Sequence, residues 1–325
     1  MPLNVSTEHR SITSSPTDES RASAQRQMIE AMLDVWPEHQ SFLRSRFSPM
    51  YEALRNTSEQ IAARILTITG AHLRQFCEDY RWTCNILLDE ALFFQRHGEY
   101  RLKTFAEAYT ELYGNTEKMR RYNHGLLLSQ LFWANQTAAI DTYLKKFLAG
   151  SRPNQRHLEI GPGHGLLLAE AALHDSGGIL TGWDASPASL EASAESLRCM
   201  GVENKVRLEE RDMRQPLAGD VLFDRIVLSE ILEHIEEPVE ALIQVAKLAA
   251  PGGRFFINVP ANSPAPDHIF LLRDADHLVD MVKAAGLTPL RVESFPQTGY
   301  TLDRAQKRRA TVSCVIIAEK LCLPS

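Results

Sequence analysis

The arrangement of apolar and polar positions divides the chain in two. From Ala24 the spacing is helical: Met28, Met32, Val35 and Trp36 share one face, and Pro37 stops that run because it cannot continue the hydrogen-bond ladder. The same period predicts helices over about 38–46, 58–69, 71–96, 101–113 and 116–148, with glycines at 70, 98 and 114 as breaks. No strand pattern is convincing before residue 156. Beyond it, short apolar runs at 157–160, 179–183, 205–209, 223–229, 254–259, 290–294 and 311–319 read as strands. Helical stretches opening at Leu166 and covering 187–200, 239–248 and 274–285 fall between them. Strand and helix in alternation predict an α/β sheet, and the all-helical leader is too long to be a mere extension of it. Residues 1–22 are rich in Ser and Thr and too poor in apolar side chains to offset their ordering entropy, so a mobile tail is expected there. The plan is a tail at 1–22, a helical substrate cap at 23–150 and a sheet domain at 151–325.

The first strand runs straight into glycines. His157 to Gly165 reads H-L-E-I-G-P-G-H-G, and glycines at alternate positions let the backbone take positive φ and approach a ligand closely. A dinucleotide fingerprint, GxGxxG, needs a small residue where this chain has Leu166, which argues against NAD or FAD. The second strand ends in Asp184, nineteen residues after Gly165, where a carboxylate can accept hydrogen bonds from both hydroxyls of a ribose. The third is followed by R-D-M, with Asp212 and Met213, and the fourth leads into S-E-I-L-E-H-I-E-E-P, beginning at Ser229.

ExGxGxG followed by acidic residues at these strand ends resembles the class I S-adenosylmethionine-dependent methyltransferases, over roughly Arg156 to Lys320. The resemblance implies a Rossmann-like seven-stranded sheet whose last two strands pair antiparallel, leaving one strand reversed. It implies S-adenosyl-L-methionine as cofactor, in a cleft formed by Glu159, Gly161, Gly163, Gly165, Asp184, Asp212, Met213 and Ser229. Asp212 would take the adenine amino group beside Met213. In this fold class the helix entering the first strand crosses the cleft, so Tyr122, His124 and Trp133 are candidates to cover the methionine end or the substrate. For each of them, simple burial in the core is the competing reading.

Methyl transfer from a sulfonium is an in-line displacement whose remaining chemical demand is removal of the acceptor proton. Glu230, Glu233 and His234 follow strand four at spacing i, i+3, i+4, which places them on one face if the turn is helical; Asp267 and His268 follow strand five in P-A-P-D-H. Three readings stand side by side. His234 or His268 acts as a general base. Alternatively Glu230, Glu233, His234 and His268 hold one divalent cation, Mg, Mn or Zn, and the ExxEH string resembles that of the ubiquinone-pathway O-methyltransferases and the small-RNA 2′-O-methyltransferases. In the third, the turn is structural.

Composition narrows the classes. The 325 residues are 44% hydrophobic and 23% charged, with no apolar run long enough to span a bilayer, and the amino terminus lacks a secretory signal. The cytoplasm is the expected compartment. Cysteines 77, 84, 199, 314 and 322 show no CxxC spacing, which excludes a zinc ribbon and a disulfide framework. A net charge of −6 opposes a general nucleic-acid binder. The basic exception is the connection carrying Arg304, Lys307, Arg308 and Arg309, a solvated loop or a docking point for a carrier protein. The leading expectation is O-methylation of a small molecule in a biosynthetic pathway. The alternatives are N-methylation, a carrier-tethered acceptor, and RNA 2′-O-methylation.

Overall fold

Helices followed by an alternation of strands and helices are what the computed structural model contains, and it describes residues 23–150, 152–175, 177–178, 180–215 and 221–321. The expected tail lies outside these residues. The helical region expected to form a cap, called the cap below, consists of α1 (Ala24–Val35), α2 (Gln40–Arg46), α3 (Arg55–Thr69), α4 (Leu73–His97), α5 (Phe105–Ala108), α6 (Thr116–Phe132) and α7 (Ala134–Thr142). Local chemistry sets several ends. The Ser23 hydroxyl accepts from the Arg26 amide at the start of α1, Asn115 does the same for Lys118 at α6, and Gly98 closes α4 in the left-handed conformation.

The second half alternates β1 (His157–Ile160), α8 (Leu166–His174), β2 (Leu180–Asp184), α9 (Pro187–Cys199), β3 (Val206–Glu210), β4 (Phe223–Ser229) and α10 (Pro238–Lys247). It continues with β5 (Ala249–Ala261), α11 (Ala275–Ala284), β6 (Leu287–Pro296), α12 (Leu302–Arg308) and β7 (Val312–Lys320). The seven strands lie in the order β3-β2-β1-β4-β5-β7-β6, parallel except that β7 runs antiparallel to both its neighbours. The expected sheet with one reversed strand is present. The chain order reverses at β1, so the crevice beyond the carboxyl ends of β1 and β4 is the switch point where open α/β sheets bind ligands.

Several boundaries differ from expectation, some for local and some for tertiary reasons. The single helix expected over 116–148 breaks at Trp133, whose backbone is extended (φ −107, ψ 122). Apolar density gave no sign of it, because the break is stabilised from elsewhere: buried Arg46 donates to the Leu131 carbonyl, and Thr137 Oγ1 donates to that of Gln130. Within the stretch expected to be helical over 101–113, regular structure starts only at Phe105, where Thr104 and Glu107 form a capping box, and Tyr109–Tyr113 is a π-helical turn. The strand expected over 254–259 extends over Ala249–Ala261, so Pro251 to Gly253 lie inside β5. They loop out where the pairing jumps from Phe223↔Ala249 to Arg225↔Arg254. The basic connection is a short helix, α12, capped by Thr301 and ended by Arg309 at φ 50.

One continuous apolar core ties the cap to the sheet. Met32, Ile61 and Tyr80 from the cap pack in the same cluster as Val227, Phe256 and Val315 from the strands. Among the described residues no helix is long and apolar enough to cross a membrane.

Candidate active site

The turn from β1 into α8 forms the floor of a cleft. Gly163 (φ +52) and Gly165 (φ +78) occupy the left-handed region, and α9 fixes the turn from below: Ser193 Oγ donates to the Gly163 carbonyl and Ser196 Oγ to that of His164, at 2.9 and 2.7 Å. A Cβ on Gly165 would sit 2.8 Å from Ser193 Cα, whereas one on Gly163 would meet nothing nearer than 3.9 Å. Gly165 is therefore required for packing. Gly163 leaves room for a ligand.

Asp184, at the end of β2, accepts from the amides of Ser186 (2.8 Å) and Gly163 (3.3 Å). Burial raises its pKa to about 6 against the lowering effect of those donors. Glu159, in β1, is pushed up to about 8 by burial and then by Asp184, and its Oε2 has no hydrogen-bond partner. Asp212 and Met213 line the same end of the cleft as Asp184. Burial raises the Asp212 carboxyl, but hydrogen bonds from Arg214, at 2.7 and 2.8 Å, outweigh that and hold it below its ordinary value. Ser229 accepts from Asn258 Nδ2 at 3.1 Å and lines the cleft beside Gly161 and Gly163.

The turn after β4 is not an α-helix. Glu230 has φ +56, and only Leu232–His234 form a 3-10 turn, so the three side chains do not share one face. Glu230 accepts from Asn258 Nδ2 at 3.0 Å, and burial raises its carboxyl to about 7 despite its bonds to Gln136 and Asn258. It stands apart from a tighter group: Glu233, His234 and His268 present one donor atom each, all within 4.8 Å of one another. The two imidazole rings lie 4.9 Å apart at 79°.

Backbone carbonyls define both tautomers. His234 Nδ1 is 3.0 Å from the Asp267 carbonyl and His268 Nδ1 is 2.5 Å from that of Ser263. A carbonyl can only accept, so each neutral ring carries its proton on Nδ1 and turns the Nε2 lone pair inward. Those nitrogens lie 3.7 and 3.9 Å from Glu233 Oε1, beyond hydrogen-bond range. Glu233 is completely buried, both its oxygens lack a partner, and burial followed by the charge of Glu230 raises its pKa well above the carboxylate range. Burial and the neighbouring His234 lower His268 to about 4.

Asp267 connects this group to the cap. Its two oxygens accept from the hydroxyls of Tyr122 and Tyr113, each at 3.0 Å, and Oδ2 lies 3.5 Å from His234 Nδ1. Tyr122, a residue expected near the cofactor, lines the cleft but spends its hydroxyl on Asp267. His124 is held elsewhere, 2.8 Å from buried Asp79 and stacked on Phe76. Trp133 donates to the Tyr80 hydroxyl and forms part of the wall of a second cavity. Tyr113 escaped sequence reasoning because it comes from the π-helical turn with no motif around it. Asp267, adjacent to His268, did carry a signal.

That second cavity, of about 970 Å³, lies between the cap, the loop after β5 and α12, and it meets the glycine-lined cleft at Tyr122, Gln136, Glu230 and His268.

Residues 158–255 match the family described as a methyltransferase domain. The matched region is a domain of the class I S-adenosylmethionine-dependent methyltransferase kind. The methyltransferase half is similar to proteins named ubiquinone biosynthesis O-methyltransferase. The one from Bordetella avium is 29% identical over 140 residues, which cover 42% of this chain and 54% of that protein. The one from Xanthomonas oryzae pv. oryzae is 29% identical over 155 residues, 43% and 60% respectively. The chain thus spans little more than half the length of these relatives. An O-methyltransferase family protein from Burkholderia thailandensis shares the fold, with a TM-score of 0.53 at 14% identity over 79% of this chain and 74% of that one. The methyltransferase domain implies S-adenosylmethionine as cofactor.

Proposed function

We propose that this protein transfers the methyl group of S-adenosylmethionine to a hydroxyl oxygen of a small molecule held in the cavity under the cap. The observation that carries the reading is where the two spaces meet: His268 lines both, and its Nε2 lone pair is free. Asp184 is assigned to the ribose hydroxyls, Asp212 and Met213 to adenine, and the glycine turn with Glu159, Gly161 and Ser229 to the rest of the cofactor. The O-methyltransferase names of the relatives support oxygen as the accepting atom.

In the reaction the acceptor oxygen attacks the methyl carbon in line, the carbon–sulfur bond breaks, and its electron pair returns to sulfur. The oxygen becomes a strong acid as it gains the methyl, so a weak, neutral imidazole suffices to take its proton. His268 Nε2 receives it, with His234 beside it. Tyr113, Tyr122 and Asp267 fix the His234 ring and shut water out on the cap side.

A second reading rests on the two unpaired oxygens of Glu233. One carboxylate and two imidazole nitrogens suit a divalent cation such as Mg, Mn or Zn, and such an ion would restore the charge of Glu233 and lower the pKa of a hydroxyl placed on it. Glu230, committed to Asn258, is not part of that donor set.

The test is formation of S-adenosylhomocysteine from a panel of phenolic acids. His268→Ala should lower kcat about 100-fold or more while calorimetry gives the same S-adenosylhomocysteine affinity within a few fold. Activity abolished by exhaustive chelation and restored by Mg, Mn or Zn selects the cation; activity that survives chelation selects the imidazole base alone. Normal turnover in both His234→Ala and His268→Ala overturns the assignment.

A further inference from the structure

Resting on the reading of the second cavity as the acceptor site, we propose that it selects an amphipathic acceptor bearing one carboxylate or phosphate, which Arg304 and Arg308 bind at the rim. The cavity is polarised along its length. Leu87, Phe94, Leu126 and Trp133 of the cap helices form an apolar wall, His268 and Glu230 close the inner end, and three guanidinium groups, Arg304, Arg308 and Arg309, line the outer end.

The arginines are not interchangeable. Arg304 and Arg308 are one turn apart on α12 and so share a face. Neither has a carboxylate partner among the described residues, and the remaining cation of that helix, Lys307, is bound to Asp303 at 2.9 Å. Arg304 is steadied over the Tyr300 ring, 4.5 Å from its centroid, which leaves its N–H edge free to donate. Arg309 is part of the wall: it packs over Phe94 and donates to the Gly98 carbonyl at 3.2 Å. Unpaired arginines gathered at one rim are not a by-product of composition, because the chain as a whole carries −6.

The same polarity fixes the orientation of the ligand. An acid group at the inner end would meet the half-buried Glu230 carboxyl, whereas at the rim it meets planar guanidinium donors suited to carboxylate and phosphate oxygens. The acid therefore points outward, the apolar or aromatic body lies along the cap wall, and the hydroxyl to be methylated reaches inward to His268. Net negative substrates are drawn to this mouth of an otherwise acidic protein.

The experiment titrates the full-length protein, saturated with S-adenosylhomocysteine, with 2-naphthoate, 2-naphthyl phosphate and the neutral 2-naphthamide. At least one anion should bind tenfold or more tightly than the amide, and the double variant Arg304→Gln/Arg308→Gln should erase that preference while amide binding stays the same. A preference for naphthoate indicates a free acid as acceptor, and one for naphthyl phosphate a phosphate-tethered acceptor such as a carrier would deliver. Equal binding of amide and anions, or an anion preference that survives in the double variant, overturns the proposal. S-adenosylhomocysteine affinity, measured in parallel, should be unchanged in the variant. Its absence in the wild type would instead defeat the methyl-transfer reading beneath.

Discussion

Two glycines of one turn should fail in opposite ways. Replacing Gly165 by Ala strains a residue at φ +78 and drives a methyl group to 2.8 Å from Ser193 Cα and 3.2 Å from its carbonyl, both backbone atoms of α9. Left-handed strain costs about 1–2 kcal/mol and forced overpacking about 1–3 kcal/mol, so the fold should lose about 2–5 kcal/mol. That amounts to a drop on the order of 1 M in the urea midpoint. Gly163→Ala carries only the strain, because the nearest atom would be 3.9 Å away. Its methyl group instead enters the space assigned to the cofactor. Stability should fall by no more than about 2 kcal/mol, while S-adenosylhomocysteine affinity drops at least tenfold. Urea unfolding and calorimetry on both variants separate the two effects. Gly163→Ala binding the ligand as the wild type does, or equal urea midpoints for the two variants, would refute the division of labour between packing and ligand approach.

Acidity provides two further tests. Asp184 serves the ribose as a carboxylate, and with its pKa near 6 the ionised fraction is lost as pH falls through that value; S-adenosylhomocysteine should bind about twofold more weakly at pH 6 and about elevenfold at pH 5 than at pH 8, while Asp184→Asn should bind weakly with no pH dependence from this source. A wild-type dissociation constant that stays flat from pH 8 to pH 5 would contradict this. His157 is buried in β1 with neither ring nitrogen hydrogen-bonded, and burial and then the charge of Arg225 lower its pKa to about 3. Below about pH 6.5 the unfolded chain takes up a proton that the folded one refuses, so stability falls as pH drops from there towards 3. Between pH 6.5 and 5 the wild type should lose roughly 2 kcal/mol more than His157→Leu in urea unfolding, and identical slopes would show that the ring finds a partner.

What was legible in the sequence was what short stretches of backbone demand by themselves. The glycine turn and the strand ending in Asp184 could be placed because only certain residues suit a tight strand-to-helix turn. His234 and His268 could be paired because β4 and β5 are neighbours and each histidine follows one of them closely. Features that depend on distant partners stayed hidden. The break at Trp133 is held by Arg46, far back in the chain. The left-handed Glu230 turns the ExxEH segment away from helical geometry, so of the three ligands that string offered only Glu233 and His234 join His268. Tyr113 reaches Asp267 only through a π-helical turn that hydrophobic spacing does not reveal. Charge spacing marked Arg304 and Arg308 as basic, but only the fold puts them at the mouth of a cavity.

The core shared by Met32, Ile61 and Tyr80 with Val227, Phe256 and Val315 governs how ligands come and go. Swinging the cap away as a rigid lid would expose that apolar surface to water at a cost of roughly 25 cal/mol per Å². Traffic must instead pass between side chains at the mouths of the cleft and the cavity, motions of nanoseconds to microseconds rather than the milliseconds of domain closure. The amides of α1, α3 and α4 and those of β4, β5 and β7 should then exchange with deuterium as one cooperative unit, at the rate of global unfolding and not of a gate.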